Sequence, residues 1–299
     1  MADVEMRQSS VEVDGLDIAY LACGDDGPLA LCLHGFPDSA PTWRHLLPAL
    51  ADAGFRAVAP WMRGYAPTAV PADGRLQNGA LVRDVLGLHE VLGGDGDAVL
   101  IGHDWGALAA TGAAVHAPER WARIVTLAVP PAPAVGEAFL TYRQLRRSWY
   151  MFFFQNPLAD VVVAMNDLEF IDRLWEDWSP GYTDSTDDRA AVKEALRDPA
   201  NLAAALGYYR AKFQVELQVP ELAAEEAATG GLPPQPHLYL HGVDDGCMGV
   251  EVAERASAHL DREEDRVELV PGTGHFLHLE APAVVNEIIV GFLTGRPPE

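Results

Sequence analysis

Three side chains of this 299-residue sequence could share one reaction if the fold collects them: Asp104, Asp245 and His275. Asp104 lies between two glycines in Gly102-His103-Asp104-Trp105-Gly106. An apolar run with β-branched residues, 98–101, precedes it and reads as a buried strand, and the alanine-rich stretch 107–115 reads as a helix. A polar residue between glycines at a sharp strand-to-helix turn has the form of the G-x-S-x-G nucleophile elbow, here with aspartate in place of serine. The glycines serve close packing of strand and helix, and the central residue is strained. Aspartate at the tip supplies a carboxylate nucleophile. Asp245, with Asp244 as the alternative, ends the run that follows the strand-like 237–240. His275 closes the loop Pro271-Gly272-Thr273-Gly274-His275 after another strand-like run, 266–270. Nucleophile, acid and histidine therefore occur in that chain order, each past the carboxyl end of a strand, where open parallel sheets build their sites. His34-Gly35-Phe36-Pro37, after the apolar run 29–33, stands at a fourth such end. His275 and His278 have no third ligand at metal spacing, so neither a metal nor another cofactor is expected.

The elements that must position these residues are legible in the periodicity. Alternation over 10–13 and 16–21 around Asp14-Gly15 predicts a hairpin. Further strands are expected at 29–33, 56–59, 98–101, 122–128, 237–240 and 266–270. Helices are expected at 41–53, 81–92, 107–115, 250–258 and 283–294. Strands alternating with helices imply a mostly parallel sheet of about eight strands, covered on both faces. After Val129-Pro130-Pro131-Ala132-Pro133 the texture turns helical and aromatic as far as Val219, which reads as an inserted lid. The expected division is a core of residues 1–133 and 221–299 and a helical lid of 134–220, with 221–236 as the linker out of the lid.

Composition narrows the partners. A net charge of −23 disfavours nucleic acid and anionic membrane surfaces. Three scattered cysteines without a CxxC pair argue against a disulfide framework and for a reducing compartment. The first ten residues lack a signal-peptide pattern, and no stretch has the apolar length of a membrane helix. A cytoplasmic location is the expectation; a homodimer is compatible with it.

With these residues in view, the sequence resembles the α/β-hydrolase fold epoxide hydrolases, close relatives of the haloalkane dehalogenases, over nearly its whole length. His34-Gly35-Phe36-Pro37 resembles that group's H-G-x-P loop, and Asp104-Trp105 its aspartate elbow. The spacing Gly242-x-x-Asp245 favours Asp245 as the acid. Trp149-Tyr150-Met151-Phe152-Phe153-Phe154-Gln155 and Tyr208-Tyr209-Arg210 resemble the segments that carry the group's two lid tyrosines, which selects Tyr150 and Tyr209. The resemblance implies conversion of a small apolar epoxide and water to a vicinal diol, through an ester on Asp104 and without a cofactor. It implies oxyanion donors at the backbone of Phe36 and Trp105, and substrate contacts from Trp105, Phe36, Phe153 and Trp149. Phe139, Trp175 and Trp178 are further candidate pocket walls. Haloalkane dehalogenase is the nearest alternative, but that pattern places asparagine where Phe36 stands and lacks the tyrosine pair. A non-catalytic ligand-binding scaffold is the alternative from another class.

Overall fold

The computed structural model describes residues 5–296. The outermost residues of the expected core, 1–4 and 297–299, lie outside it, as does the start of the N-terminal segment. Eight strands form one sheet: β1 (Arg7–Val13), β2 (Leu16–Cys23), β3 (Leu29–Leu33), β4 (Arg56–Pro60), β5 (Val99–His103), β6 (Arg123–Leu127), β7 (His237–Gly242) and β8 (Arg266–Val270). Their order is β1-β2-β4-β3-β5-β6-β7-β8. β1 and β2 pair antiparallel, as do β2 and β4, and the remaining pairs are parallel. β3, β5 and β7 are buried at every position, which explains their unbroken apolar runs, whereas the edge strand β1 is mostly exposed. The fold is thus the α/β-hydrolase fold that the sequence implied.

The helices are α1 (Leu46–Asp52), α2 (Asn78–Val91), α3 (Trp105–His116), α4 (Ala132–Ala138), α5 (Tyr142–Arg147), α6 (Trp149–Phe153), α7 (Leu158–Trp178), α8 (Thr186–Leu196), α9 (Pro199–Phe213), α10 (Ala223–Ala228), α11 (Val250–Ala253), α12 (Leu277–Glu280) and α13 (Pro282–Leu293). Those from α4 to α10 fall between β6 and β7. The expected helix 41–53 begins as a 3-10 turn over Ala40–His45 before α1, and the expected helix 250–258 ends as one over Glu254–Ala258. α7 is broken at residues 165–168, where Asn166, Asp167 and Leu168 take positive φ. No helix among the described residues is long and apolar enough to cross a membrane.

The stretch 221–236 is more than a linker. It contains α10, which packs against α2 and α3. Glu226 accepts the Gly79 N–H at 2.7 Å, and Glu225 takes Arg83 at 2.6 Å. Its alanines and glutamates read as linker composition, but they are one helix laid on the core.

Strand order reverses at β3, whose neighbours are β4 on one side and β5 on the other. That is the switch point where a crevice opens beyond the strand ends. Leu33 pairs with Gly102, so the loop after β3 and the turn after β5 emerge side by side. The backbones there leave no space for a side chain. A Cβ on Gly102 would lie 2.3 Å from the Gly106 carbonyl oxygen, and one on Gly106 would lie 2.2 Å from that of Leu33. Because backbone cannot swing aside, Gly106→Ala should destabilise the fold by about 2 kcal/mol or more. The check is urea unfolding, with a lower midpoint at unchanged slope; an unaltered midpoint contradicts the packing argument.

Candidate active site

Asp104 occupies the turn between β5 and α3 with φ +52 and ψ −118, which no residue with a side chain adopts without strain. Its amide donates to Leu127 O at 3.3 Å and its carbonyl accepts from the Ala107 amide at 3.0 Å, so both neighbours clamp the turn. The carboxylate is buried. Oδ1 accepts the Phe36 N–H at 2.7 Å. Burial pushes the Asp104 carboxyl above the usual carboxylate range, against the pull of His275 and of the Phe36 and Trp105 amides.

His275 Nδ1 meets Asp245 Oδ2 at 2.9 Å, and Nε2 lies 3.8 Å from Asp104 Oδ2. Asp245 is 2 % exposed, and its Oδ1 accepts the amides of Cys247 at 2.6 Å and Met248 at 2.9 Å. Asp244 is exposed. Burial by itself would lower the His275 imidazole, but the Asp245 carboxylate outweighs it, and the net effect is a pKa above the ordinary histidine value.

Helix α7 fastens both loops. Trp178 O accepts the amides of Gly246 at 3.1 Å and His275 at 3.0 Å, and its ring stands edge-on to His275 at 5.0 Å. Glu280 accepts the Gly274 amide at 2.9 Å, and the Ser179 hydroxyl donates to the same carboxylate at 2.7 Å. Trp175 stacks on Phe276 with centroids 3.7 Å apart and donates its indole N–H to Pro37 O at 2.8 Å. Trp175 and Trp178, candidate pocket walls by sequence, therefore hold loops and do not line the cavity.

Tyr150 and Tyr209 stand opposite the elbow, with ring centroids 5.6 Å apart. Tyr209 is 1 % exposed; the Trp105 side chain bears on its hydroxyl, though no group among the described residues meets it at full hydrogen-bond geometry. The Tyr150 hydroxyl lies 3.3 Å from Cys247 Sγ. Burial, reinforced by Asp104 or Cys247, pushes both phenols well above the usual tyrosine range, so they stay protonated. Tyr208 points elsewhere and donates to Arg63 O at 2.6 Å.

A cavity of about 370 Å³ joins Asp104, Trp105, His275, Tyr150 and Tyr209. Leu108, Val135, Phe139, Met151, Phe213 and Met248 supply much of its apolar wall. Three expected substrate contacts fall outside that lining. Phe36 contributes its amide, while its ring packs on Phe154 and Tyr209. Phe153 stacks on Phe170. Trp149 is 46 % exposed and packs on Phe153 and Phe170. Position on α6 does not sort them, since Met151 beside Tyr150 does line the cavity; Trp149 and Phe153 are instead taken up by packing on Phe170. Cys247 and Met248, which do line the cavity, carried no sequence signal beyond lying just past Asp245. Gln144 was also missed; it is fully buried and ties α5 to that loop through Cys247 O at 2.9 Å and the Gly249 amide at 3.0 Å.

Two buried groups bring metal-ligand atoms within 4.8 Å of one another: Asp38, His103 and His278, and Asp245, Cys247 and His275. In the second group His275 and Asp245 are already hydrogen-bonded to each other. In the first, burial lowers His103 and His278, the latter to about 3, and raises Asp38 to about 8. This is a neutral polar layer behind His275, whose carbonyl lies 2.9 Å from His103 Nε2.

Comparison with known proteins places the chain in context. The family model for the alpha/beta hydrolase fold matches residues 28–282. An epoxide hydrolase of Caballeronia sordidicola is 33% identical over 319 residues, spanning 96% of this chain and 94% of that protein. The crystal structure of epoxide hydrolase A from Mycobacterium thermoresistibile is 26% identical with a TM-score of 0.79, covering 99% of this chain and 100% of that one. An epoxide hydrolase from Vigna radiata is 27% identical with a TM-score of 0.79, covering 97% and 99%.

The electrostatics of His275 can be tested apart from turnover. Asp245→Asn removes the largest influence that holds the imidazole up and leaves Asp104 and Asp38 to oppose burial. The His275 pKa, read by NMR titration of the ring, should fall; an unmoved value contradicts the assignment of its cause.

Proposed function

The chain belongs to the α/β-hydrolase fold family and groups with its epoxide hydrolases, and from that premise we propose that this hydrolase opens epoxides to vicinal diols through an ester on Asp104. One observation carries the reading: a single apolar cavity joins a buried carboxylate, an acid-paired imidazole facing it, and two protonated phenols.

Each group has a task that its surroundings suit. Oδ1 of Asp104 is tied to the Phe36 amide, which leaves Oδ2 as the attacking oxygen. As the carbon–oxygen bond of the epoxide breaks, charge gathers on the ring oxygen, and Tyr150 and Tyr209 donate to it and protonate it. The product is an ester whose carbonyl oxygen remains at the Phe36 amide. Forming it removes the negative charge of Asp104, one of the influences that hold the His275 pKa up. The neutral imidazole, oriented by Asp245, then takes a proton from water as that water attacks the ester carbonyl. The oxyanion forms against the Phe36 and Trp105 amides.

Two variants separate the half-reactions. His275→Gln should accumulate a mass increment equal to the epoxide on the peptide containing Asp104. Tyr209→Phe should slow alkylation by about 10²-fold while ester hydrolysis changes little; equal losses in both steps contradict the proton-donor role. Single turnover in heavy-oxygen water should leave label in Asp104. Halide release from haloalkanes without diol formation from any epoxide would overturn the reading in favour of a dehalogenase. Alkylation needs ionised Asp104, whose pKa is raised, so its rate should rise with pH through a value above the ordinary aspartate one. Pre-steady-state rates against pH check this.

A further inference from the structure

The mouth of the cavity carries a charge that the reaction does not use. Apart from the His275 imidazole, Lys212 is the only basic side chain among the lining residues. It is exposed and forms no ion pair or hydrogen bond among the described residues. The sequence has 44 acidic residues and 21 basic ones, only two of them lysine, and the other, Lys193, is paired with Asp172.

Helix geometry relates Lys212 to the reacting atoms. Tyr209, Lys212 and Phe213 all line the cavity from α9 at i, i+3 and i+4, which is one helical face. Tyr209 is buried beside Asp104, while Lys212 and Phe213 are exposed. The ammonium therefore springs from a point about 4.5 Å farther along the helix axis, on the solvent side of the phenol. Most of the other lining residues are apolar.

Taking the epoxide-hydrolase reading as its basis, we propose that Lys212 selects an epoxide whose apolar body ends in a carboxylate remote from the ring. The carboxylate stays in the wet mouth beside the ammonium, the body fills the apolar cavity, and the ring is directed inward to Asp104 and the phenols. A protein of net charge −23 repels such an anion over most of its surface, so a lone cation at the entrance gives direction as well as affinity. A cation in the last turn of α9 also suits that helix end electrostatically, and this alone would not discriminate between substrates.

The test compares a medium-chain epoxy acid, its ring at the end remote from the carboxylate, with its own methyl ester. Lys212→Met should lower the acid-to-ester ratio of kcat/KM about five-fold, the factor equivalent to about 1 kcal/mol from a part-exposed ion pair. The loss should appear mainly in KM for the acid. Lys212→Arg should restore the ratio, and rising salt should erode it in the parent enzyme but not in Lys212→Met. A ratio unchanged by Lys212→Met overturns the proposal. Turnover of neutral epoxides with none of the acid overturns it too, and leaves the epoxide-hydrolase reading standing. Absence of diol from every epoxide instead removes that reading beneath it.

Discussion

A carboxylate out of water at a strained turn is the constraint on which the rest of this structure depends. Asp104 is buried, and burial alone favours its protonated form. What keeps the anion accessible is local: the Phe36 amide on Oδ1, the Trp105 amide, and an imidazole held above its ordinary pKa by a second buried carboxylate. Each of these requires a loop to arrive from a different strand end, which is why the sheet's switch point between β3 and β5 is where the site lies. The backbone strain at Asp104 is sustained because Gly102 and Gly106 let β5, α3 and β3 close to distances that any side chain would forbid.

The helices between β6 and β7 do more than roof the cavity. The last carbonyl of α7, that of Trp178, receives amides from the loops of both Asp245 and His275. Gln144 ties α5 to the loop of Asp245, and Trp175 reaches the loop of Phe36. The acid, the histidine and the amide donor are thus each held by a contact with the helical segment. A shift of that segment would move the phenols and the acid–base pair together.

The two phenols are not equivalent. The Tyr209 hydroxyl has the Trp105 side chain beside it and no partner at full hydrogen-bond geometry, whereas that of Tyr150 lies against the Cys247 thiol. The difference follows from their supports: Tyr209 belongs to the long helix α9, while Tyr150 sits on the short α6 beside the loop that follows Asp245.

The strands, the elbow and the chain order of Asp104, Asp245 and His275 were legible in the sequence because they are local. Periodicity, glycine spacing and strand ends are written in consecutive residues, and the mostly parallel sheet follows from them. Which of two adjacent acids meets His275, and which of two adjacent tyrosines enters the cavity, could be ranked from sequence by motif spacing, but burial settles the geometry: Asp244 is exposed, and Tyr208 is spent on Arg63. Which other aromatics line the cavity was only partly legible: Phe139 does. Trp149, Phe153, Trp175 and Trp178 share the composition of pocket walls, yet they pack against other rings and loops. An aromatic side chain buries its area equally well in a core, under a loop or against a substrate. Only the packing of helices distant in sequence decides which of these it does.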